Sequence, residues 1–105
     1  MIVTTSEEIS GKAAIRTLGL VRGNTVRARH VGRDIMAGLR TLVGGEIIEY
    51  TKLMAESREQ ALLRMKDRAA ELGADAIVGV RFQTSMILSG TAELLVYGTA
   101  VRFKK

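Results

Sequence analysis

The sequence predicts an α+β fold in two layers, in which an antiparallel sheet packs against one long helix and one short helix. Three observations lead to this fold class. Apolar and polar residues alternate over 13–29, 74–87 and 92–103, as in half-buried strands. Residues 46–72 repeat apolar residues at helical spacing without Gly or Pro. Gly44-Gly45 and Gly73 stand at the two ends of that long segment and predict where the helix begins and ends.

The chain is short enough to form one domain over residues 1–105. A chain of 105 residues buries about 60 to 68% of the surface that it exposes when unfolded. Hydrophobic residues make up 47% of the sequence, but there are only two Phe, two Tyr and no Trp. The core must therefore consist of aliphatic and Met side chains, and aliphatic surfaces of this kind often continue across subunit interfaces.

The elements at the start of the chain are less regular than the long helix. A short strand is expected at 1–5 and a polar turn at 6–12. Residues 13–29 have strand patterning, with Gly23-Asn24 marking either a tight turn or a bulge. The short helix is predicted over 31–43, where apolar residues recur every three or four positions.

The long helix and the last two strands have clear faces. Seven residues fall on one stripe of the helix and are expected in the core: Tyr50, Met54, Ser57, Ala61, Met65, Ala69 and Leu72. Because only a short loop separates the last two strands, they are expected to pair as an antiparallel hairpin. The final strand is apolar on both faces, which is more than one covering helix requires. A second subunit is the simplest partner for the other face.

Composition and motifs exclude several classes of function. The absence of Cys excludes disulfides and thiolate chemistry. The sequence shows neither a signal peptide nor 18 consecutive apolar residues, so a cytoplasmic protein without membrane contact is expected. Serine-hydrolase, zinc-protease, P-loop and dinucleotide-binding motifs are absent as well. We therefore expect no enzymatic activity, no catalytic residue and no cofactor.

Five segments carry a resemblance to a known family: GLVRGNTVRAR, GRDIMAGLRTLVGGEIIEY, SREQAL, LGADAIVGVRF and YGTAV. Together they resemble the YbjQ-like family of small bacterial and archaeal proteins, to which a heavy-metal-binding label is sometimes attached. The resemblance covers essentially the whole chain. It implies a two-layer subunit similar to a dodecin subunit, assembled with copies of itself into a ring, with a homopentamer as the leading expectation. The family has no established biochemical activity.

Arginine dominates the candidate binding residues. The net charge of +5 arises outside the long helix, because residues 47–73 carry five basic and five acidic residues. Arg33 and Asp34 open the short helix, where Asp34 is expected to cap backbone amides. The alternative is a pocket at a subunit boundary that grips a small anionic ligand through charge-assisted hydrogen bonds. That candidate site comprises Arg27, Arg29, Arg33, Asp34 and Arg40.

Metal and nucleic acid are weaker alternatives. The chain has no Cys, and its one His, His30, lies between Arg29 and Arg33, whose positive charges oppose a cation. No metal site is expected from one chain, but a symmetric ring can bring copies of four possible ligands together: His30, Asp34, Glu46 and Glu49. A heavy-metal-binding protein therefore stays as the alternative function. Nucleic acid is not an expected partner, because stacking aromatic residues and a recognisable binding module are absent.

Overall fold

A computed structural model describes residues 1–28, 45–88 and 91–103. The described ranges contain one helix and four strands, which we label in chain order: β1 (Ile2–Val3), β2 (Ala14–Ala28), α1 (Gly45–Glu71), β3 (Ala76–Leu88) and β4 (Thr91–Phe103). The α+β class and the long helix are confirmed. The short helix predicted over 31–43 and the loop at 89–90 lie outside the described residues.

The four strands form one mixed sheet in the order β1-β3-β4-β2. The β3–β4 hairpin is antiparallel as predicted, and β4 also pairs antiparallel with β2. The prediction of a purely antiparallel sheet is wrong, because β1 runs parallel to β3 and pairs Ile2 with Ala76. Parallel neighbours need a long connection. All of β2 and α1 lie between these two strands in the chain, so the connection is long enough.

β2 runs without a break through Gly23-Asn24, so these residues form neither of the predicted irregularities. Gly23 pairs with Val96 and Asn24 with Leu95 in continuous register. The shifts in register lie earlier, one of them between Thr17 and Gly19. Gly23 is required for a different reason: a Cβ atom there would lie 2.0 Å from the Ala61 carbonyl oxygen. The helix backbone therefore rests directly on β2 at this glycine.

α1 ends as its sequence predicts. Gly73 has φ +77° and donates its N–H to the Ala70 carbonyl at 3.0 Å. Ala74 donates to the Ala69 carbonyl, also at 3.0 Å. This pair of bonds is a Schellman motif, which needs a left-handed residue after the last helical turn. Leu72 follows the last helical residue and is exposed, so its predicted place in the core is wrong.

The main core lies between α1 and the sheet. Its buried members come from every long element: Val21, Ala61, Met65, Ala69, Ile77, Val80, Leu94, Val96 and Ala100. Ser57, Ala61, Met65 and Ala69 confirm the predicted helix stripe. The two faces predicted for β4 are confirmed too, because Leu94, Val96 and Ala100 belong to this core.

The predicted alternation along β3 fails at Gly79, which has φ +61° and lies in a register shift between Val78 and Arg81. As a result Ile77 and Val80 join the same core, although the alternation placed them on opposite faces. A second, smaller core lies on the face of the sheet away from α1. It comprises Ala76, Val78 and Val101, covered by the partly buried Ile9 and Phe103. In the described ranges, no helix is both long and apolar enough to cross a membrane.

Candidate functional site

α1 is tied to β2 by a seam of polar contacts. The buried hydroxyls of Thr25 and Ser57 hydrogen-bond to each other. Arg64 Nη1 donates to the backbone carbonyl of Asn24 at 2.6 Å. Ser57 and Arg64 lie seven residues apart, which is two helical turns, so both side chains reach the same strand. α1 is therefore held over β2, at one side of the sheet, and not over its middle.

Arg27 extends this seam toward the end of β2. Its Nη2 donates to Gln60 Oε1, and the contact is partly buried. The Arg27 Nε atom is buried, and it has no hydrogen-bond partner among the described residues. A buried N–H group without a partner is uncommon and points to a group that completes the site. Arg27 thus fixes the helix with one end of its guanidinium, while its buried Nε–H has no partner among the described residues.

An open cleft of about 480 Å³ adjoins Arg27. The described residues that line it are Arg27, Glu56, Glu59, Gln60, Leu62, Leu63 and Lys66. Two cations and two carboxylates face this space, so its described wall is not strongly basic. A wall that carries both signs of charge can bind a ligand or a chain segment through directed hydrogen bonds.

Arg27 is the only member of the predicted site in the part of the chain that the structure describes. The others, Arg29, Arg33, Asp34 and Arg40, lie in residues 29–44, outside the described ranges. Their grouping with Arg27 therefore stays a prediction. Gln60, which accepts the Arg27 hydrogen bond, lies 33 residues away in sequence, so no local pattern indicates this contact.

The face of the sheet away from α1 carries a surface that the predicted site did not include. We call it the outer patch, and it consists of Leu20, Val26, Leu95 and Tyr97. Leu20 is 68% exposed and Val26 is also exposed, while Leu95 and Tyr97 on the neighbouring strand are partly exposed. The apolar second face of β4 was the signal for this surface, and β2 adds the two most exposed members.

The donors needed for a metal site do not converge in the described residues. Within residues 1–28, 45–88 and 91–103, no group of three or more His, Cys, Asp or Glu side chains could hold a metal ion. His30 and Asp34 lie outside these ranges, and the side chains of Glu46 and Glu49 are not described. The predicted pooling of these ligands in a ring stays a prediction.

Sequence comparison identifies relatives over the full length of the chain. The model of the YbjQ_1 family, described as "Putative heavy-metal-binding", matches residues 1–104. A UPF0145 protein of Methanosarcina acetivorans is 54% identical over 102 residues, covering 97% of this chain and 96% of the relative. A UPF0145 protein of Halorubrum lacusprofundi is 57% identical over 104 residues, covering 99% and 100%.

A solved structure has a similar fold at low identity. It is a protein of unknown function of the DUF74 family from Pediococcus pentosaceus, with a TM-score of 0.67 and 18% identity. The match covers 99% of this chain and 98% of that protein. At this identity the likeness concerns the fold alone. Because the family model spans residues 1–104 and relatives more than half identical match along the whole length, the chain belongs to the YbjQ-like family.

Proposed function

We propose that this protein is a non-catalytic module that assembles with copies of itself into a symmetric ring and holds a small anionic ligand at the subunit boundaries. The outer patch carries the proposal. Its four apolar residues lie on two paired strands, with the exposed Arg22 opposite Tyr97 and Asn24 opposite Leu95 on the same face, and no described element covers Leu20 or Val26. Burial of apolar surface is the main favourable contribution to most protein association. A neighbouring copy that covers this face removes it from water.

The ligand part of the proposal is supported by Arg27. Its buried Nε has an unused donor, and an anion accepts such a bond well because the guanidinium stays charged. The residues that follow Arg27 include the three further arginines of the predicted site. A ring of about five subunits, the count that the family resemblance implies, would repeat this arrangement at every boundary.

Native mass spectrometry tests the assembly and its retained ligand in one measurement. We expect a single oligomeric mass for the wild-type protein. Leu20→Lys, in the outer patch, is expected to break the ring into smaller species, because a charge cannot be buried there without a partner. Ala70→Lys is the control, because Ala70 is exposed on α1 and belongs neither to the outer patch nor to the cleft beside Arg27. A monomeric wild type, or equal dissociation of both variants, would contradict the proposal.

Heavy-metal binding is the second candidate, supported by the description attached to the YbjQ_1 family. Elemental analysis of the purified protein tests it, followed by titration with Zn, Cu and Ni. A stoichiometric metal that disappears in a His30→Ala variant supports the candidate. No retained metal and no uptake during titration would refute it.

A further inference from the structure

β3 has an outer edge that no strand covers beyond its first half. β1 pairs only with Ala76 and Ile77, and the chain after β1 accepts two further backbone N–H groups, from Val80 to the Thr4 carbonyl at 3.0 Å and from Gly79 to the Ser6 carbonyl at 2.9 Å. From Phe82 to Leu88, the edge has no paired strand among the described residues. Exposed strand edges tend to recruit another strand, and proteins usually guard them with charges, Pro or bulges.

The sequence of this edge lacks the residues that usually prevent another strand from pairing with it. Residues 82–88 read FQTSMIL, without a charge, a Pro or a Gly. The register shift between Met86 and Leu88 comes only at the far end. The opposite edge of the sheet differs, because Arg64 already occupies the Asn24 carbonyl of β2. The distal half of β3 is therefore the edge of this sheet that is most open to another strand.

The backbone direction along this edge follows from Val80. At the register shift, Gly79 and Val80 both direct their N–H groups outward, to Ser6 and Thr4. From Arg81 to Met86 the pairing with β4 is regular, so successive residues there direct their N–H groups to opposite sides. The outward donors beyond it are therefore those of Phe82, Thr84 and Met86. These three residues are spaced symmetrically about Thr84, so an antiparallel copy of the same segment can exchange hydrogen bonds with all of them.

The side chains on this edge are also left uncovered. Phe82 and Met86 pair across the sheet with Val96 and Ala92 and so lie on the α1 side. Because α1 is held over β2, Phe82 remains 46% exposed and Met86 74% exposed. Rotation by a twofold axis through Thr84 would place Phe82 opposite the partner's Met86, and Met86 opposite the partner's Phe82. Aromatic and long apolar side chains are favourable cross-strand pairs.

We propose that two copies of this chain join their sheets through antiparallel pairing of β3 with β3, centred on Thr84. The inference rests on the proposed self-assembly and adds a second, twofold contact to it. Every copy then pairs with one other through Phe82, Thr84 and Met86. A closed assembly in which all copies use this edge contains an even number of subunits, such as a dimer or two rings joined face to face.

Substitutions at Thr84 test the pairing, with native mass spectrometry as the measurement. Thr84→Pro removes the central outward donor, a change that an edge position tolerates within the subunit. Its expected result is half the wild-type mass. Thr84→Val keeps the N–H and the strand propensity, so the wild-type mass is expected. An odd number of wild-type subunits, or a Thr84→Pro variant with unchanged mass, overturns the inference.

A charge pair provides a second test that does not depend on the fold of the proline variant. Thr84→Lys and Thr84→Glu each place like charges opposite each other at the twofold axis, so each is expected to halve the mass. An equal mixture of the two is expected to regain the full mass. Lys and Glu variants that both keep the wild-type mass overturn the twofold pairing while the ring proposal stands. A monomeric wild type refutes both.

Discussion

Thr25 and Ser57 share a hydrogen bond between their hydroxyls at the point where β2 meets α1, and they are only 2% and 1% exposed. Thr25 Oγ1 also lies 3.4 Å from the Ser57 carbonyl oxygen. Their neighbours in the core are aliphatic or Met side chains. A buried hydroxyl without a partner costs free energy, so each of these two residues is satisfied by the other.

The two single substitutions are therefore expected to lower the free energy of unfolding by more, in sum, than the double substitution does. Thr25→Val leaves the buried Ser57 hydroxyl without its partner, and Ser57→Ala leaves Thr25 only the longer contact to the Ser57 carbonyl. We expect each to lower the free energy of unfolding by about 1 to 2 kcal/mol. The double variant is expected to lose about 1 kcal/mol less than the sum of the two. Urea denaturation of the four proteins measures this difference. Strict additivity would show that the hydroxyls do not depend on each other.

Gly23→Ala tests the close approach of the helix to the sheet. The new Cβ would lie 2.0 Å from the Ala61 carbonyl oxygen and 2.7 Å from the Met65 nitrogen, so backbone atoms must move apart. We expect the free energy of unfolding to fall by about 3 kcal/mol, as in overpacked cores. Arg58→Ala on α1, where the side chain is exposed and lies outside the outer patch, is the control, with an expected change within about 0.5 kcal/mol. Equal effects of both variants would argue against the contact.

Gly73→Ala tests the end of α1. The left-handed backbone at φ +77° costs an L-residue with a Cβ about 1 to 2 kcal/mol. The added methyl also meets the flexible end of Arg102, which can move aside. Thermal denaturation is expected to show a lower Tm for Gly73→Ala and a smaller decrease for Gly73→Asn, because Asn tolerates this conformation better. A reversed order of the two would contradict the assignment of strain to the backbone.

The proposed anion site predicts different roles for Arg27 and Gln60. Arg27→Ala removes the unused donor, so an anion that copurifies with the wild-type protein is expected to be lost. Gln60→Ala removes only the partner of Nη2 and frees a second donor, so the anion is expected to remain. Native mass spectrometry under gentle conditions measures the retained mass. Retention in Arg27→Ala would place the ligand elsewhere.

The local residue pattern predicted the long helix and the β3–β4 hairpin, because the residues that determine each of them are close together in sequence. It failed where the reason for a residue lies far away in sequence. Gly23 looked like a turn signal, but the helix backbone that requires it lies at Ala61 and Met65. The bulge at Gly79 interrupts the alternation of side chains along β3, which looks regular in the amino-acid sequence.

The candidate site was predictable only in part for the same reason. A cluster of arginines is visible in sequence, but the partner that holds Arg27 is not. The exposed edge of β3 also left no local sign, since FQTSMIL reads as an ordinary strand. Its importance follows only from the strand order and from the position of α1.

The strand order has a consequence for how the chain acquires its structure. β4 follows the other described strands in sequence, yet it lies between β3 and β2 and hydrogen-bonds to both. Its register joins Ala14 to Phe103, across nearly the whole chain. Contacts this distant in sequence slow folding, because a long loop must close before they form. During synthesis β2 therefore has no described neighbour in the sheet until β4 has been made, so it stays unpaired while α1 and β3 are translated.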